Sequence, residues 1–496
     1  MYLDPKLLQR SAGIAVAIIL LAVSICSAEP SRILWSKEYS TQDNEIATSI
    51  ISTSDGGFLL GSIMNYYLDP DVHPYLRKVD SFGNSLWYRV YEEDAEGTLW
   101  DAVELDSSGY YFFAGSHQAA SHAGLIQRVM STGGVFPTGR LLLQAPGFGD
   151  VKSLIYKSDG GIAAVAQRNL GFEGGVQGAF ILLDQDMAVD TLVYVASGDL
   201  GRVEFRDLIE TEFGYVIVGS VGNFLLPLDS AAFVMGVDFD GSTLFTRQYP
   251  SFNGITEFTS LCKAHDGGFL AAGRHSVSST DQRLLLFKMT GSGDSLWTKE
   301  YEFTPFGDLE PRIARTVGGG YIVTGTYLVS SRNVAFLIKV DVAGDSLWTL
   351  VVDGEGLAEW ISGDAACVTP DGGYAMLCTN VHMDGAANNL LVRFAPDQQD
   401  SLAYAALNPS DIRLLQNYPN PFNSTTTISY DLNSSNIVRL KVFDLTGRLV
   451  TTLIDGSITT GKHEVMFDGA GLASGIYFTR LEAGSKRMTR KMVFIK

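Results

Sequence analysis

Residues 261–273 read LCKAHDGGFLAAG, and residues 286–301 read LFKMTGSGDSLWTKEY. Each stretch is a pair of apolar, β-prone runs about a Gly-containing turn, where Gly supplies positive φ at little steric cost. The first pattern recurs as SIISTSDGGFLLGS (49–62), VELDSSGYYFFAGS (103–116), SLIYKSDGGIAAVA (153–166), LIETEFGYVIVGS (208–220), IARTVGGGYIVTG (313–325) and ACVTPDGGYAMLC (366–378). The residues that follow the turn are Phe58, Tyr110, Ile162, Tyr215, Phe269, Tyr321 and Tyr374, spaced by 52, 52, 53, 54, 52 and 53. The second hairpin returns clearly at 76–91 and 336–352, and in weaker form at 125–143, 179–196 and 232–249. Two hairpins per copy make four strands, A to D. Four-stranded units of about 50 residues, repeated several times, predict a β-propeller, here of seven blades over residues 29–404. A linear β-solenoid is the rival, but its repeats are usually much shorter.

Leu34-Trp35-Ser36-Lys37-Glu38-Tyr39 matches Leu296-Trp297-Thr298-Lys299-Glu300-Tyr301, which is a D strand. It precedes the first A strand and has no blade of its own. Residues 33–40 are therefore expected to supply the outer strand of blade 7. In the alternative, residues 400–404 fill that slot, because Asp400-Ser401-Leu402-Ala403-Tyr404 reads as a degraded D strand.

Charge divides the 496 residues further. The net −19 resolves into +1 for residues 1–28, −24 for 29–410 and +4 for 411–496. An acidic main body argues against a nucleic-acid groove, so no nucleic-acid partner is expected. At the front, Lys6 and Arg10 precede an apolar run from Ala12 to Ile25 that ends in Cys26-Ser27-Ala28. A basic region, a short apolar region and a small-x-small site predict a signal peptide over 1–28. An uncleaved anchor is the alternative, although the run is short of the roughly 20 residues a span needs. After cleavage Cys262, Cys367 and Cys378 remain. Three cysteines cannot make a disulfide framework. Cys367 and Cys378 flank one turn symmetrically, so a cross-strand disulfide is open to them, though such geometry is often strained.

The longer B–C loops and D–A connections should share one face. Nearly every D–A connection ends in an acid: Glu45, Glu96, Asp150, Glu204, Glu257, Glu310 and Glu359. These are expected to ring the channel mouth, with Trp100 and Trp360 beside them. Carboxylates next to aromatics bind sugars or cations; alternatively the acids cap backbone amides and the aromatics pack between blades. His73, His117, His122, His275 and His382 fall in B–C loops, without an HExxH or comparable signature, so no metal site is assigned. No cofactor ligands stand out and no catalytic residue is singled out, because a ring of seven acids offers pairs without choosing one. The propeller is expected to be monomeric.

The repeats resemble the "DGGY…G…D..G..LW" units of exported bacterial proteins. They are also similar to kelch repeats and to quinone-dependent dehydrogenase repeats. This likeness implies fold rather than function.

After a linker at 405–412, residues 413–496 hold short alternating strands, TTTISYDL (425–432), 437–454, HEVMFDG (463–469) and 475–496. They predict a small immunoglobulin-like β-sandwich. The tail carries Tyr418-Pro419-Asn420-Pro421-Phe422, Asp444-Leu445-Thr446-Gly447-Arg448, Gly475-Ile476-Tyr477 and the terminal Lys491-Met492-Val493-Phe494-Ile495-Lys496. It closely resembles the C-terminal sorting domain of the type IX secretion system, type A. It is also similar to the immunoglobulin-like domain of flagellar hook-capping proteins. The resemblance implies that Pro419, Asn420, Pro421, Gly447, Gly475, Tyr477, Lys491 and Lys496 form the sorting motif. It implies outer-membrane secretion machinery as partner, in a Gram-negative-type bacterium, and a tail that is removed or exchanged for a lipid anchor. A plain adhesive module is the alternative. The expected protein is a secreted or surface-attached binding module for a glycan, protein or cation. Its rival is a secreted carboxylate-dependent hydrolase or lyase acting on polysaccharide in the funnel.

Overall fold

A computed structural model describes Val16–Ala17 and residues 31–496, apart from 42, 65–71, 92–96, 106–109, 118–122, 144–146, 172–174, 197–200, 224–225, 250–253, 277, 279–280, 303–309, 330–331, 355–357, 398–399, 401–411, 433–435, 446, 460 and 484–485. Apart from Val16–Ala17, the signal-peptide region lies outside the described residues, as do Glu96, His122 and nearly all of the linker. The chain divides into two compact units, 1–401 and 402–496.

The first unit holds seven antiparallel sheets in chain order. The first is Glu45–Ser52, Phe58–Met64, His73–Val79 and Ser85–Val90, with each strand paired to the next. The same A-B-C-D order recurs in the next five. Single parallel bridges, Val176 to Arg202 and Ser230 to Ile255, join the third sheet to the fourth and the fourth to the fifth. Val16–Ala17 pairs with Asp353 and Gly354 at the outer strand of the sixth.

The seventh sheet is completed from the other end of the unit. Its first three strands are Ala358–Val368, Tyr374–His382 and Ala387–Phe394, and its outer strand is Ile33–Tyr39. That strand runs antiparallel to Ala387–Phe394, from Ile33 opposite Phe394 to Tyr39 opposite Asn389.

Strand periodicity explains how the sheets stack. In the third sheet Ile162, Ala164 and Ala166 enter the core shared with the second, while Ala163 and Val165 enter the core shared with the fourth. Both faces of each sheet are buried, so strands such as Phe58–Met64 read as continuous apolar runs instead of alternating. Among the described residues there are seven inter-sheet cores, one for each seam. One of them packs Phe58 and Leu60 of the first sheet against Leu377 and Leu391 of the seventh, which closes the ring. The A strands contact one another around the same circuit, Ala358–Val368 reaching Glu45–Ser52. The D strands form the rim, and some alternate partly buried and exposed residues, as at Thr243–Tyr249 and Ser295–Tyr301.

The "LW…Y" element is a clasp between sheets. Tyr39 Oη donates to Gly83 O at 2.8 Å and Tyr91 Oη to Gly133 O at 3.1 Å; Tyr249 and Tyr301 do the same to Gly293 and Gly344. In each case the glycine lies in the C–D turn of the next sheet. Gly83 has φ +74°, and a Cβ there would stand 2.7 Å from the Trp35 ring.

Cys367 and Cys378 are free thiols, so the cross-strand disulfide open to them is not formed. Cys367 lies opposite Ala375, and Cys378 opposite Gly363. Cys378 belongs to the core shared with the sixth sheet and Cys367 packs against the core shared with the first, so they occupy opposite faces.

The second unit is a sandwich of three and four antiparallel strands. One sheet is Ile412–Leu414, Thr425–Leu432 and Gly461–Asp468; the other is Leu449–Ile458, Asn436–Asp444, Gly475–Ala483 and Lys486–Phe494. Both faces contribute to one core, with Ile428 and Tyr430 from the first sheet and Leu440, Leu481 and Met492 from the second.

Candidate functional site

The A strands line the channel, and six of the seven carry a β-bulge. The register shifts fall between Ala47 and Ser49, Leu99 and Asp101, Val151 and Ser153, Phe205 and Asp207, Phe258 and Ser260, and Gly363 and Ala365. A bulge sets two residues against one and re-aims a side chain. The bulged residues are Thr48, Trp100, Lys152, Arg206, Thr259 and Asp364. Each is followed by Ser49, Asp101, Ser153, Asp207, Ser260 or Ala365.

Four of these following residues, Asp101, Ser153, Asp207 and Ser260, form a polar belt. The Ser153 hydroxyl lies 2.8 Å from Asp101 Oδ2 and 3.0 Å from Asp207 Oδ1. Ser260 Oγ donates to Asp207 Oδ2 at 3.1 Å, and Ile313 N donates to Ser260 Oγ at 3.3 Å. One serine proton serves one carboxylate, so the second contact suits a carboxyl that carries its own proton. Burial pushes Asp101 up to about 6, against the pull of Arg312 and with the push of Asp207. Burial likewise raises Asp207, with Arg312 opposing. Asp364 is pushed by burial to about 7, although Thr379 N and Thr379 Oγ1 both donate to its Oδ2 at 2.7 Å.

The expected acids occupy different environments. Glu45 is fully buried; its Oε2 accepts from Asn389 Nδ2 at 2.7 Å, and Arg77 stands 3.7 Å away. Burial raises it to about 7 despite Arg77. Asp150 pairs with Lys152 at 2.7 Å. Glu204 is held by Arg202 and Arg206, Glu257 by Arg274, and Glu310 by Arg206 at 3.2 Å. Burial acts upward on Glu310, but Arg206 and Arg312, then Lys152 and Arg274, outweigh it and hold the carboxyl below its usual value. The side chain of Glu359 lies outside the described residues.

A cavity of about 270 Å³ opens where the sixth, seventh, first and second sheets meet. Thr48, Trp100, Glu310, Arg312, Ser362 and Asp364 line it. It brings together two expected residues, Trp100 and Glu310; Trp360, Glu45, Asp150, Glu204 and Glu257 are not in its wall. Lys152 Nζ sits 3.7 Å from the centre of the Trp100 ring, while Trp100 Nε1 and Thr48 Oγ1 are buried without a hydrogen-bond partner among the described residues. The Arg312 guanidinium makes no ion pair within 4.0 Å and no hydrogen bond among the described residues. Its charge acts on Asp101, Asp207, Asp364 and Glu310.

Arg312 and Asp364 are channel residues that repeat reasoning passes over, because no other copy has the same residue at their positions, and Thr48 is matched only by Thr259. Counting back ten from the residue after the A–B turn (nine in the fourth copy) gives Thr48, Trp100, Lys152, Arg206, Thr259, Pro311 and Asp364. Divergence at one repeat position is the signal that locates them. The acids themselves fall at several different offsets, as 13 for Glu45 and 11 for Glu310.

A second cavity, of about 590 Å³, lies between the first and second sheets, beside Tyr91, His117, Gln127 and Arg140. It accompanies the irregular D strand of the second sheet, where pairing jumps from Val135 to Arg140. Of the histidines, His275 pairs with Glu300 at 2.8 Å and His382 with Glu38. Among the described residues no three His, Cys, Asp or Glu side chains are grouped to hold a metal ion.

In the second unit the YPNPF segment braces the last strand. Val493 N donates to Asn420 Oδ1 at 2.8 Å, Phe422 N to Val493 O at 2.9 Å and Ile495 N to Phe422 O at 2.9 Å. The Phe422 ring lies 4.9 Å from Phe494 and 5.9 Å from Phe467. Pro419 O accepts from Thr426 Oγ1 at 2.8 Å, and Asn417 Nδ2 donates to Thr426 Oγ1 at 2.9 Å. Gly447 takes φ +82° in the turn closed by Asp444 and Arg448, Tyr477 Oη donates to Ala473 O, and Lys496 N donates to Ser474 Oγ. Gln416 Nε2 donates to Lys491 O at 2.8 Å.

The search among curated proteins finds no match to this chain. Among solved structures the chain is similar to PorZ of Porphyromonas gingivalis, a surface component of the type-IX secretion system. Identity is 11%, coverage 91% of this chain and 81% of that one, and TM-score 0.32. It is similar to the β-propeller domain of the trilobed protease of Pyrococcus furiosus at 9% identity, covering 72% and 95%, with TM-score 0.42. For Drosophila Plexin A, in a complex with Semaphorin 1b, the values are 11%, 74%, 88% and 0.39. Residues 416–496 match the family model of the secretion system C-terminal sorting domain, so the second unit is a sorting domain of that family.

Proposed function

We propose that this chain is an exported, non-enzymatic β-propeller that binds a ligand at its channel, at the cell surface or outside the cell. The sorting domain supports export; the type IX machinery is the system read from its motifs, with residues 1–28 serving the inner membrane. The observation that carries the binding half is the channel cavity, where the buried donors Trp100 Nε1 and Thr48 Oγ1 have no hydrogen-bond partner among the described residues. Unmet buried donors cost about 1–3 kcal/mol each, which a bound ligand or water recovers. Asp150, Glu204 and Glu257 already hold cations of the same chain, which favours a supporting role for them over a chemical one. Fusing a reporter behind the signal peptide and ahead of residues 405–496 tests export. In a host with this secretion system the reporter should reach the surface or medium; retention in the periplasm refutes the sorting role.

One observation favours the hydrolase reading as a second possibility. Asp364 and Glu310 line the same cavity with carboxyls shifted in opposite directions, the division that general acid and base require. Asp364→Asn and Glu310→Gln, assayed for both glycan binding and polysaccharide hydrolysis, separate the two. Binding without turnover in the parent protein supports the binding module; turnover lost in both variants supports the enzyme.

A further inference from the structure

We propose that the channel cavity between Thr48, Trp100, Arg312 and Asp364 takes one neutral sugar unit, recognised through its hydroxyls. The proposal rests on the binding reading above and names its ligand class.

The cavity presents donors and acceptors together. Trp100 Nε1 can only donate, the Arg312 guanidinium can only donate, and neither hydrogen-bonds to a side chain or backbone group among the described residues. Thr48 Oγ1 is buried and unpartnered and can do either. The Asp364 and Glu310 carboxyls and the Ser362 hydroxyl supply acceptors in the same wall. A carboxylate or phosphate ligand would satisfy Arg312 but meet two acidic side chains. An ammonium ligand would satisfy those acids but meet Arg312, with Lys152 close by on the Trp100 ring. A hydroxyl donates and accepts from one atom and brings no charge, so a polyol meets both sets of groups. At about 30 Å³ per water, about 270 Å³ equals roughly nine waters, room enough for one sugar ring.

The test uses saturation-transfer NMR on the exported chain. Glucose, galactose, mannose and N-acetylglucosamine serve as neutral probes, with glucuronate and glucosamine as charged counterparts. At least one neutral hexose should bind, and bind better than either charged probe. Trp100→Phe keeps a ring and removes the N–H; Thr48→Val keeps the shape and removes the hydroxyl. Each should weaken that hexose about three- to tenfold, the effect of one hydrogen bond. A second readout needs no altered ligand wall: in protein labelled at its six tryptophans, the hexose should shift the Trp100 indole N–H resonance. The proposal is overturned if no neutral hexose binds, if a charged probe binds better, or if the Trp100 resonance does not move. Binding of an unrelated glycan or protein in the absence of hexose binding would refute this proposal alone. Retention of the reporter in the periplasm would refute export alone.

Discussion

Asp364 is a carboxyl with neighbours that favour its charge and surroundings that do not. Thr379 offers two donors at 2.7 Å, yet burial dominates and the group is pushed to about 7. Asp101, at about 6, and Glu45, at about 7, share this condition. A carboxyl raised in the folded state binds its proton more tightly there than in the unfolded chain. Its stabilising contribution is therefore full below about pH 4 and is lost as pH rises through 6 to 7. Asp55, Asp266 and Asp371, lowered in the folded state despite some burial, act oppositely and lose their contribution below about pH 4. The propeller should thus melt several degrees higher at pH 5.5 than at pH 8, followed by calorimetry. Asp364→Asn should flatten that slope; an unchanged slope would remove Asp364 as its source. None of this was legible beforehand. Asp364 is one polar residue in a copy whose siblings carry Thr, Trp, Lys, Arg or Pro there, and neither its burial nor the approach of Arg312 from the neighbouring sheet follows from spacing along the chain. Trp100 and Glu310 were within reach because they stand at the ends of loops the repeat pattern marks.

At the scale of the element, the hairpin turns and the clasp explain why the repeat was readable. Its most repetitive residues are those whose geometry recurs. Gly83, Gly133, Gly293 and Gly344 all take positive φ, and a Cβ on any of them would fall within 3.0 Å of an aromatic ring of the preceding sheet. Gly56 also takes φ +81°, but a Cβ there meets nothing within 4 Å. Gly344→Ala should therefore destabilise the propeller by about 1–3 kcal/mol more than Gly56→Ala, which incurs only the backbone cost, as read from urea midpoints. Equal losses would mean the Trp297 ring moves aside freely. The end of the ring escaped the same reading. In the first, fifth and seventh sheets a turn Asp accepts from a C-strand cation: Asp55 from Lys78, Asp266 from Lys288 and Asp371 from Arg393. The sixth has Gly318 in that position, and its buried Lys339 instead bonds Asp397 at 2.9 Å and Asp400 at 2.5 Å, while Gly318 N donates to Asp400. Asp400, read in sequence as the start of a decayed strand, supplies the missing turn carboxylate from outside the repeat. Nothing in its local sequence points 82 residues back to Gly318.

At the scale of the whole molecule, the decisive property is closure. In an open stack, loss of a terminal strand exposes one end and leaves the remaining interfaces intact. Here Ile33–Tyr39 is the rim strand of the last sheet and reaches the first. Removing it uncovers the Ala387–Phe394 edge, withdraws Tyr39 from the core between the seventh and first sheets, and deletes the Tyr39 to Gly83 bond and the Trp35 contact with that turn. The losses fall on two neighbouring sheets and on the one seam that joins the two ends of the unit. Deleting residues 29–40 should accordingly lower the melting temperature of the propeller by well over the few degrees expected for a frayed edge. It should also expose an edge strand prone to association, visible as a concentration-dependent increase in mass by light scattering. Deleting 402–496, a separate compact unit, serves as the comparison and should leave the propeller's melting transition nearly unchanged. If the two deletions lower that transition equally, the ring does not depend on its closing strand and the sheets hold together as an open stack.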